Sequence, residues 1–505
     1  MRTGTGAAAP HRTRTGAAAP HRTRTRTRTG GAWRRSFSLG LSLSLSLGLG
    51  LSLGVGAQGV VDSTWFVPLD RCAQPAATVL PAAAFPWEAD SGRHGQIDAW
   101  FDGSAARVGK GSDAEVGLRG VGMVRGAAAG QRWGAVGTAE VWRWGSAAPE
   151  REEGRVVGIG RAWVRESGAT EALRFTGRAW VTLSPSVVLE AGVHPQHWGA
   201  GWRSVWLDRA AESLPYVRAS IGKERVRYSH LVARTPRTDG ASWLAAHTVD
   251  VDLGAGFTGS LFGAVRWLEA DSGYRFRFDP GYAVPFVAFR PVEYAGGSAD
   301  NALIGAALRW SRAGWTLYAQ AAVDEFLFRE VADRSGWWGT KYAALVHAAR
   351  TGPRGGVLAE AVVVRPYTFS HVHPGTSWSH HGAPLGHPAG ANFAEIRTVG
   401  ERRWGALRAR CGVVHRLGGD GPRIGSDVAE TYLDRPANYG IGTVWIGGGA
   451  VPEARWARTW WITAEVARTL ERLGGSEAFV RAVAGTASVV EAGIRTDRVM
   501  GDRTW

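Results

Sequence analysis

Many segments of this chain alternate between apolar and polar residues, which is the pattern of a β-strand with two unlike faces. In the segment 173–183 one face is apolar, and the other carries Arg, Thr and Trp side chains. The segments 315–323 and 489–497 alternate in the same way. Similar segments recur at 95–102, 115–125, 132–144, 155–165, 187–193, 224–234, 242–252, 257–268, 303–310, 341–350, 356–365, 393–401, 404–415, 441–447, 457–467 and 477–485. The pattern predicts an all-β fold of about 18 to 20 strands separated by turn-rich loops.

Two architectures fit these strands: a secreted soluble protein such as a propeller or tandem sandwiches, and one antiparallel barrel in the outer membrane. A propeller repeats every ~40–50 residues, and no such repeat is found. After residue 58, no uncharged apolar run reaches the ~20 residues of a membrane helix. The chain also has 25 Trp residues, and Trp and Tyr concentrate at the two interfaces of a membrane barrel. These observations favour a transmembrane β-barrel over residues 58–505.

The first 57 residues differ from the rest of the chain. Residues 1–35 form a near-duplicated Arg- and Thr-rich run of low complexity, for which we predict no fold and expect a later start of translation. Residues 36–57 are uncharged and end in small side chains, which is typical of a secretory signal with cleavage after Ala57. A membrane-anchoring helix is the alternative, but Ser and Gly dilute the run and no basic flank follows it.

Net charge and cysteine content add little to this picture. The formal charge is +15, but residues 1–57 hold nine of the 59 basic residues and no acid, which leaves 50 against 44, or +6. We therefore predict no nucleic-acid partner. Cys72 and Cys411 are too far apart for a metal motif; a disulfide and two separate thiols both stay open.

The stretch "VRPYTFSHVHPGTSWSHHGAPLGHPAGANF", residues 364–393, holds five of the chain's 14 histidines. Imidazole is the commonest nitrogen ligand of metals, but these histidines are spaced by 2, 7, 1 and 6 residues, which matches no regular zinc pattern. Several Pro and Gly residues indicate a shaped loop instead. We predict no metal site and no cofactor. The histidines are His371, His373, His380, His381 and His387.

The same stretch resembles the most characteristic segment of the capsule assembly protein Wzi family, in its Bacteroidota-type form. The resembling features are its Arg-Pro-Tyr-Thr-aromatic-Ser-His run, its Pro-Leu-small-His-Pro and its Gly-Ala-Asn-Phe. Four further blocks resemble the family in the same order. They are "HPQHWGAGWRSVWLDRAAESLPYVRASI" (194–221), "GGSADNALIGAALRW" (296–310), "LYAQAAVDEFLF" with "GWWGTKYAALV" (317–328 and 336–346), and "GSDVAETYLDRPANYGIGTVWIGGG" (425–449).

The resemblance implies an outer-membrane barrel of about 18 strands with inward-folded loops and short periplasmic helices. It implies a surface protein that binds or organises capsular or other exported polysaccharide and is not an enzyme. Outer-membrane lipid surrounds such a barrel, and barrel-assembly machinery inserts it, for which the final Trp505 is a suitable signal. The alternatives are a transport pore for sugars or other solutes and a component of gliding motility.

Candidate ligand-binding residues combine polar groups for hydroxyls with aromatic faces for sugar rings. Wall arginines also suit the carboxylates of uronic acids or phosphates, although they can instead pair with lumen acids such as Glu190, Glu360 and Glu491. Asp324 and Glu325 are adjacent, so a strand sends them to opposite faces and a shared acid/base role is not expected. The predicted polysaccharide contacts are Arg365, Tyr367, His371, Trp378, His380, Arg174, Arg178 and Arg309.

Overall fold

The structure is a computed structural model, and it describes only part of the chain. The described residues are 94–108, 115–130, 132–145, 151–152, 155–156, 160–165, 168–237, 240–270, 278–284, 289, 300–335, 337–420, 425–429, 431–434, 455–470, 476–485 and 489–496. The segments predicted at 1–35, 36–57 and 441–447, with Cys72 and Trp505, lie outside them. The predicted signal peptide and the disulfide question therefore stay as they were.

Long antiparallel strands make up most of the described chain. They belong to a sheet of 21 strands, three of which are short: Arg151–Glu152, Arg155–Val156 and Gly160–Val164. The other eighteen are numbered β1 to β18 in chain order. They are His94–Val108, Glu115–Gly130, Trp133–Trp144, Thr170–Ser184, Val187–His194, Leu214–Lys223, Val226–Arg237, Gly240–Gly254, Phe257–Leu268, Asn301–Arg312, Trp315–Val323, Tyr342–Gly352, Gly355–Val364, Phe393–Trp404, Leu407–Asp420, Arg455–Leu470, Ser476–Gly485 and Val489–Thr496.

Each long strand pairs with the strands before and after it in this order, as in an up-and-down barrel. The last strand also pairs with the first, because residues 489–494 of β18 lie antiparallel to residues 103–108 of β1. Over these six residues the first and last strands have a neighbour on both sides, so part of the sheet's edge is covered. The prediction of an all-β, antiparallel barrel of about 18 strands is confirmed.

The two ends of the barrel differ in their connections. One end carries two-residue turns, at 185–186, 224–225, 255–256, 313–314, 353–354 and 405–406. In the turn 255–256 both residues have positive φ, 52° for Ala255 and 87° for Gly256, which matches the twist of the flanking strands. The other end carries most of the long loops. Outer-membrane barrels place short turns in the periplasm and long loops outside, so we call the long-loop end the outer end.

The outward faces of the strands are apolar. Phe175 and Val217 each expose 60% of their surface, and Leu261 exposes 65%. Along β11 exposed and buried residues alternate from Trp315 to Ala322, with the apolar residues predicted for one face on the exposed side. This surface suits contact with lipid. Within the described residues, no helix is long and apolar enough to cross a membrane.

Three expectations about the elements differ from the structure. The strand β6 (Leu214–Lys223) was not predicted, because its inward Leu214 and Tyr216 are apolar or aromatic and hide the usual alternation. The segment 155–165 forms two of the short strands and not a long wall strand. The α-helices Pro280–Ala283 and Phe328–Ala332 lie in outer loops, where the sequence predicted none, and the expected periplasmic helices stay a prediction.

Candidate functional site

The loop between β5 and β6, residues 195–213, folds back on itself and is called the plug loop. The backbone N–H of Trp198 donates to the carbonyl of Leu207 at 2.9 Å, which closes the loop as a bridge. Gly199 has φ of 136° and packs so closely on the wall that an added Cβ would lie 2.7 Å from the hydroxyl of Tyr318. The sequence favoured an inward-folded structural block here, and the fold agrees with it.

The plug loop crosses the interior of the barrel. The N–H of Val205 donates to Gln320 Oε1 on β11 at 2.9 Å. The N–H of Trp202 donates to Glu360 Oε2 on β13 at 2.7 Å. Since β11 and β13 follow β5 by six and eight strands, these bonds tie one side of the barrel to the other. They also satisfy buried backbone donors that no strand partner could reach.

Aromatic packing holds the plug loop in place. The indole of Trp206 stacks on Phe262 of β9, with ring centroids 4.6 Å apart and planes 6° from parallel. Its nitrogen donates to the carbonyl of Ala321 at 2.9 Å. A second indole, that of Trp378, donates to the carbonyl of Trp206 at 2.7 Å. Buried indole rings stabilise a loop by removing apolar surface from water, and their hydrogen-bonded N–H groups fix the orientation of the rings.

A buried charge pair organises the turn of the plug loop. Asp208 Oδ1 lies 3.4 Å from Arg203 Nη1, and Asp208 Oδ2 accepts the N–H of Ser204 at 2.8 Å. Burial acts to raise the pKa of Asp208, but Arg203 and His197 outweigh it and the pKa is lowered. Burial, followed by the charge of Arg209, lowers the pKa of His197 to about 3, against the opposing effect of Asp208. At neutral pH the pair is therefore ionised beside a neutral imidazole.

The loop between β13 and β14, residues 365–392, is called the histidine loop. Tyr367 and Phe369 in it have φ of 59° and 78°, which are left-handed values rarely adopted by bulky residues. Such strain persists only where the surroundings hold the backbone in place. Here Asp324 Oδ2 accepts the N–H of Phe369 at 2.8 Å. Side chains of β8, β9 and β10 hold a later part of the loop by donating hydrogen bonds to its carbonyls: Ser242 to Gly375 (2.7 Å), Arg266 to Ser377 (2.6 Å) and Asn301 to Thr376 (3.0 Å).

The five predicted contacts in the histidine loop are all buried. Their exposed fractions run from 0% for Trp378, through 2% for Tyr367 and 3% for His380, to 6% for Arg365 and His371. As placed, these side chains pack against the wall and neighbouring loops. Their contact with polysaccharide stays a prediction, and it requires the ligand to reach them through the loop surface.

Two of these side chains, Arg365 and His371, make polar contacts within the outer loops. Arg365 Nη1 donates to the carbonyl of Thr340 at 2.8 Å, and its guanidinium lies 5.5 Å from the ring centroid of Tyr342. His371 Nδ1 lies 2.7 Å from the hydroxyl of Thr376. Both contacts fix the shape of the loop.

The three predicted wall arginines are not brought together with the histidine loop. Arg174 and Arg178 lie on β4, nine strands before β13, and Arg309 lies on β10. Glutamates on neighbouring strands accompany the first two, as the alternative of wall-stiffening ion pairs expects. The contacts are Arg174 to Glu140 (2.7 Å), Arg178 to Glu190 (3.8 Å) and Arg309 to Thr258 (3.3 Å).

Two of the histidines in this loop are in ring contact with each other. The rings of His380 and His381 are 4.2 Å apart, whereas His387 packs on Phe393 at 4.7 Å. Burial lowers the pKa of His387 despite the opposing effect of Glu395. In the part of the chain that the structure describes, no three His, Cys, Asp or Glu side chains are grouped to hold a metal ion.

A compact set of polar and aromatic side chains lies at the outer end, where β11 ends and β12 begins. This outer cluster consists of Glu325, Trp338, Lys341, His371 and Tyr432. The ammonium of Lys341 is its centre, 3.1 Å from Glu325 Oε2 and 2.9 Å from the carbonyl of Ser370. It also lies 4.3 Å from the ring centroid of Tyr432 and 5.9 Å from that of Trp338, which are cation–π distances.

The local backbone explains how these side chains meet. Lys341 donates its N–H to the carbonyl of Glu325 at 2.8 Å, so the two residues continue the pairing of β11 with β12. Tyr432 begins a 3-10 turn, and Thr431 before it donates its hydroxyl to the carbonyl of Val372 at 2.8 Å. Three outer loops therefore contribute to the outer cluster.

Accessibility differs sharply within the outer cluster. The Lys341 side chain is 0% exposed, whereas that of Glu325 is 25% exposed. Trp338 and Tyr432 are partly exposed, with ring centroids 5.2 Å apart and planes at 51°. A carboxylate that accepts hydroxyl hydrogens therefore lies beside two accessible rings, which are the groups that sugar recognition uses.

Sequence reasoning identified the segments of the outer cluster but not its chemistry. Trp338, Lys341 and Tyr432 lie inside the resembling blocks, but the resemblance implies no role for them. Glu325 was considered only as half of an acid pair. The sequence feature that could have indicated the cluster is Lys341, which lies between a Trp-Gly pair and a tyrosine. It follows the neighbouring acids Asp324 and Glu325 by 16 residues, counted from Glu325.

Comparison with known proteins supports the fold. No protein-family model and no curated protein matches the sequence. Among solved structures, the chain is similar to Wzi of Escherichia coli, described as an outer membrane protein involved in group 1 capsule assembly and a carbohydrate-binding β-barrel. That likeness has a TM-score of 0.51 and 12% identity over 78% of this chain and 83% of that one. OccK8 (OprE) of Pseudomonas aeruginosa matches with a TM-score of 0.40 and 8% identity, over 80% and 97%. The chain has an outer-membrane β-barrel fold.

Proposed function

We propose that this protein binds or organises capsular or other exported polysaccharide at the outer surface of the outer membrane, without catalysing a reaction. In this proposal the signal peptide at 36–57 exports the chain, barrel-assembly machinery inserts it, and lipid surrounds its apolar wall. The observation that carries the proposal is the outer cluster, where an accessible carboxylate and aromatic rings face the side from which polysaccharide arrives.

The resemblance of five sequence blocks to the capsule assembly protein Wzi family supports the same function. Four of these blocks supply structure that matters here: the plug loop, the histidine loop, and the loop segments that contain Lys341 and Tyr432. The carbohydrate-binding barrel of Escherichia coli has a related fold, which is compatible with a shared role. Family membership is part of the proposal.

A solute pore is the second candidate, and the barrel interior argues against it. The plug loop bonds to β11 and β13, and the histidine loop bonds to β8, β9 and β10. Both loops therefore fill space that a diffusion pathway needs. A surface binder needs only the outer end to be accessible.

A non-catalytic role fits the positions of the two adjacent acids. Asp324 is 1% exposed and accepts the N–H of Phe369 at 2.8 Å, so it anchors the histidine loop. Glu325 is held by Lys341. Glycosidases place two carboxylates on either side of a scissile bond, about 5 to 10 Å apart and both accessible. A buried anchor does not serve that purpose.

Deletion of the gene in an encapsulated host tests this function. We expect cell-bound polysaccharide to fall and shed polysaccharide to rise, with restoration by the wild-type gene. Unchanged retention contradicts the proposal. The purified protein in a planar bilayer separates the two candidates, since a binder with a filled barrel gives little conductance and a pore gives steady open-channel current.

A further inference from the structure

We propose that the outer cluster is a subsite for an uncharged sugar residue, and that it selects against uronic acids and phosphorylated sugars. The inference rests on the proposed polysaccharide binding and specifies its ligand. It is based on three features of the cluster. They are the charged group that a ligand can reach, the hydrogen-bond acceptor that this group offers, and the aromatic rings of the cluster.

The positive charge of the outer cluster is not available to a ligand. An ammonium has three N–H donors. Those of Lys341 are directed to Glu325 Oε2 at 3.1 Å, the Ser370 carbonyl at 2.9 Å and the face of Tyr432, with Asp324 Oδ2 at 3.8 Å as a further neighbour. The side chain is 0% exposed. An acidic sugar therefore cannot pair with it without dismantling these contacts.

The accessible charge is the negative one of Glu325. Lys341 engages Oε2, while Oε1 lies 3.8 Å from His371 Nε2, beyond hydrogen-bonding distance. An ionised carboxylate accepts several hydrogen bonds, and bonds from hydroxyls to a charged oxygen are short and strong. A pair of sugar hydroxyls can donate to Oε1, whereas a second carboxylate or a phosphate has no proton to donate and is repelled.

The rings of Trp338 and Tyr432 supply the apolar half of the subsite. Their planes meet at 51° with centroids 5.2 Å apart, and both rings lie around the Lys341 ammonium that also binds Glu325. Both are partly exposed. Aromatic faces carry negative partial charge and attract the weakly positive C–H groups on one face of a sugar ring. The same negative faces add to the disadvantage of an anionic ligand.

The wall arginines do not offset this preference. Arg174 lies 2.7 Å from Glu140, and the Arg178 guanidinium has Glu190 as its acidic neighbour at 3.8 Å. Both arginines lie on β4, far round the sheet from β11 and β12. The positive charge of these two arginines is therefore paired and remote from the accessible rings, and Arg365, which bonds to Thr340 near the cluster, is only 6% exposed.

The test uses the full chain in detergent and two forms of one polymer. The probes are the host's exported polysaccharide and the same polymer after selective oxidation of its primary hydroxyls to carboxylates. We expect the wild type to bind the untreated polymer about tenfold more tightly than the oxidised one at equal ionic strength. Glu325→Gln should weaken binding of the untreated polymer about tenfold and reduce the discrimination to below about threefold.

Matched variants keep the result interpretable. Glu224→Gln removes an exposed acid from a two-residue turn at the opposite end of the barrel, and we expect no change in either affinity. Tyr432→Phe should retain binding because it keeps the ring, whereas Tyr432→Ala should lose it. Heat-modifiable migration on gels shows that each variant is a folded barrel.

The outcomes separate the two proposals. If the wild type binds the untreated polymer but prefers the oxidised form, or if Glu325→Gln and Tyr432→Ala leave both affinities unchanged, the neutral-sugar subsite is overturned and polysaccharide binding stands. If the wild type binds neither form, polysaccharide binding itself is overturned and the subsite with it.

Discussion

The indole nitrogen of Trp378 donates a hydrogen bond of 2.7 Å to the carbonyl of Trp206, and this contact joins the histidine loop to the plug loop. Trp206 in turn is stacked on Phe262 of the wall. The two loops are therefore one packed unit, although Trp206 and Trp378 are 172 residues apart in the chain. Loosening either loop should loosen the other.

Replacing Trp378 with Phe tests this coupling. The variant leaves the Trp206 carbonyl without its donor and leaves a small void, so we expect the free energy of unfolding to fall by about 2 to 4 kcal/mol. Denaturant unfolding in detergent micelles measures it. Trp404→Phe is the matched control, because Trp404 is 54% exposed on the wall and should change stability by about 0.5 kcal/mol or less. Equal losses in both variants contradict the coupling.

Gly305 sets how closely the plug loop approaches β10. A Cβ at this position would lie 2.4 Å from Trp206 Nε1 and 2.5 Å from the Ala321 carbonyl. We expect Gly305→Ala to lower the unfolding free energy by about 1 to 3 kcal/mol and to displace Trp206, which raises bilayer conductance. Gly137→Ala has its nearest contact at 3.8 Å and should change neither quantity. A stable, non-conducting Gly305→Ala variant would show that the plug loop packs elsewhere.

Acid should weaken the plug loop through His197. Its pKa is about 3 in the folded protein and ~6.5 in an unfolded chain, so between these values the unfolded state binds more protons. Stability therefore falls as the pH falls through this window, by up to about 1.4 kcal/mol per pH unit. Asp208, whose pKa is also lowered, adds a loss below its ordinary value of 3.8.

His197→Gln isolates the histidine contribution, because glutamine does not titrate. We expect its unfolding free energy to change less than that of the wild type between pH 6.5 and pH 4. Unfolding curves at several pH values measure the difference, in which the contributions of other groups largely cancel. If the unfolding free energies of the wild type and His197→Gln change equally with pH, His197 is not held neutral in the folded protein.

The ion pairs of β4 to β6 should respond unequally to neutral substitutions. Glu190 lies 3.0 Å from Arg218 and 3.8 Å from Arg178, so Glu190→Gln leaves one buried and one partly buried guanidinium group without their anion. We expect a loss of about 3 to 5 kcal/mol in unfolding free energy. Arg178→Gln keeps the pair of Glu190 with Arg218 and should lose about 1 kcal/mol or less.

The same variants test a role for Arg178 in binding sugar. A purely structural Arg178 predicts that Arg178→Gln binds polysaccharide like the wild type. A loss of affinity with unchanged stability would instead support the contact predicted from the sequence. Titration of each folded variant with the host's polysaccharide distinguishes the two.

The strands of the barrel wall could be predicted from the sequence because the alternation of apolar and polar residues involves only neighbouring positions. In β11 each residue from Trp315 to Ala322 faces the side that its neighbours two positions away predict. The exception, β6, fails for a physical reason: its inner face packs on the plug loop, so Leu214 and Tyr216 replace the small or polar residues expected in a lumen. Alternation indicates two unlike environments, whereas in the first residues of β6, before Arg218, both faces are apolar or aromatic.

The interior and the outer cluster could not be read in the same way. Contacts such as Val205 with Gln320 join residues separated by 115 positions, and no periodic pattern records them. The outer cluster depends on three loops, so the accessibility of Glu325 and the burial of Lys341 emerge only when all three are in place. The histidines are numerous in the sequence, whereas a single lysine, Lys341, is the centre of the cluster.

The order of the plug loop's partners along the chain has a consequence for biogenesis. Trp202 bonds to Glu360, which lies 158 residues later in the chain. Contacts so distant in the chain form slowly, because long segments must be ordered first. Until β9, β11 and the histidine loop are all in place, Trp198 and Trp206 lack these partners, so an unfinished barrel exposes aromatic surface in its interior. Filling of the interior is thus a late maturation step, and its completion distinguishes a finished barrel from a trapped one.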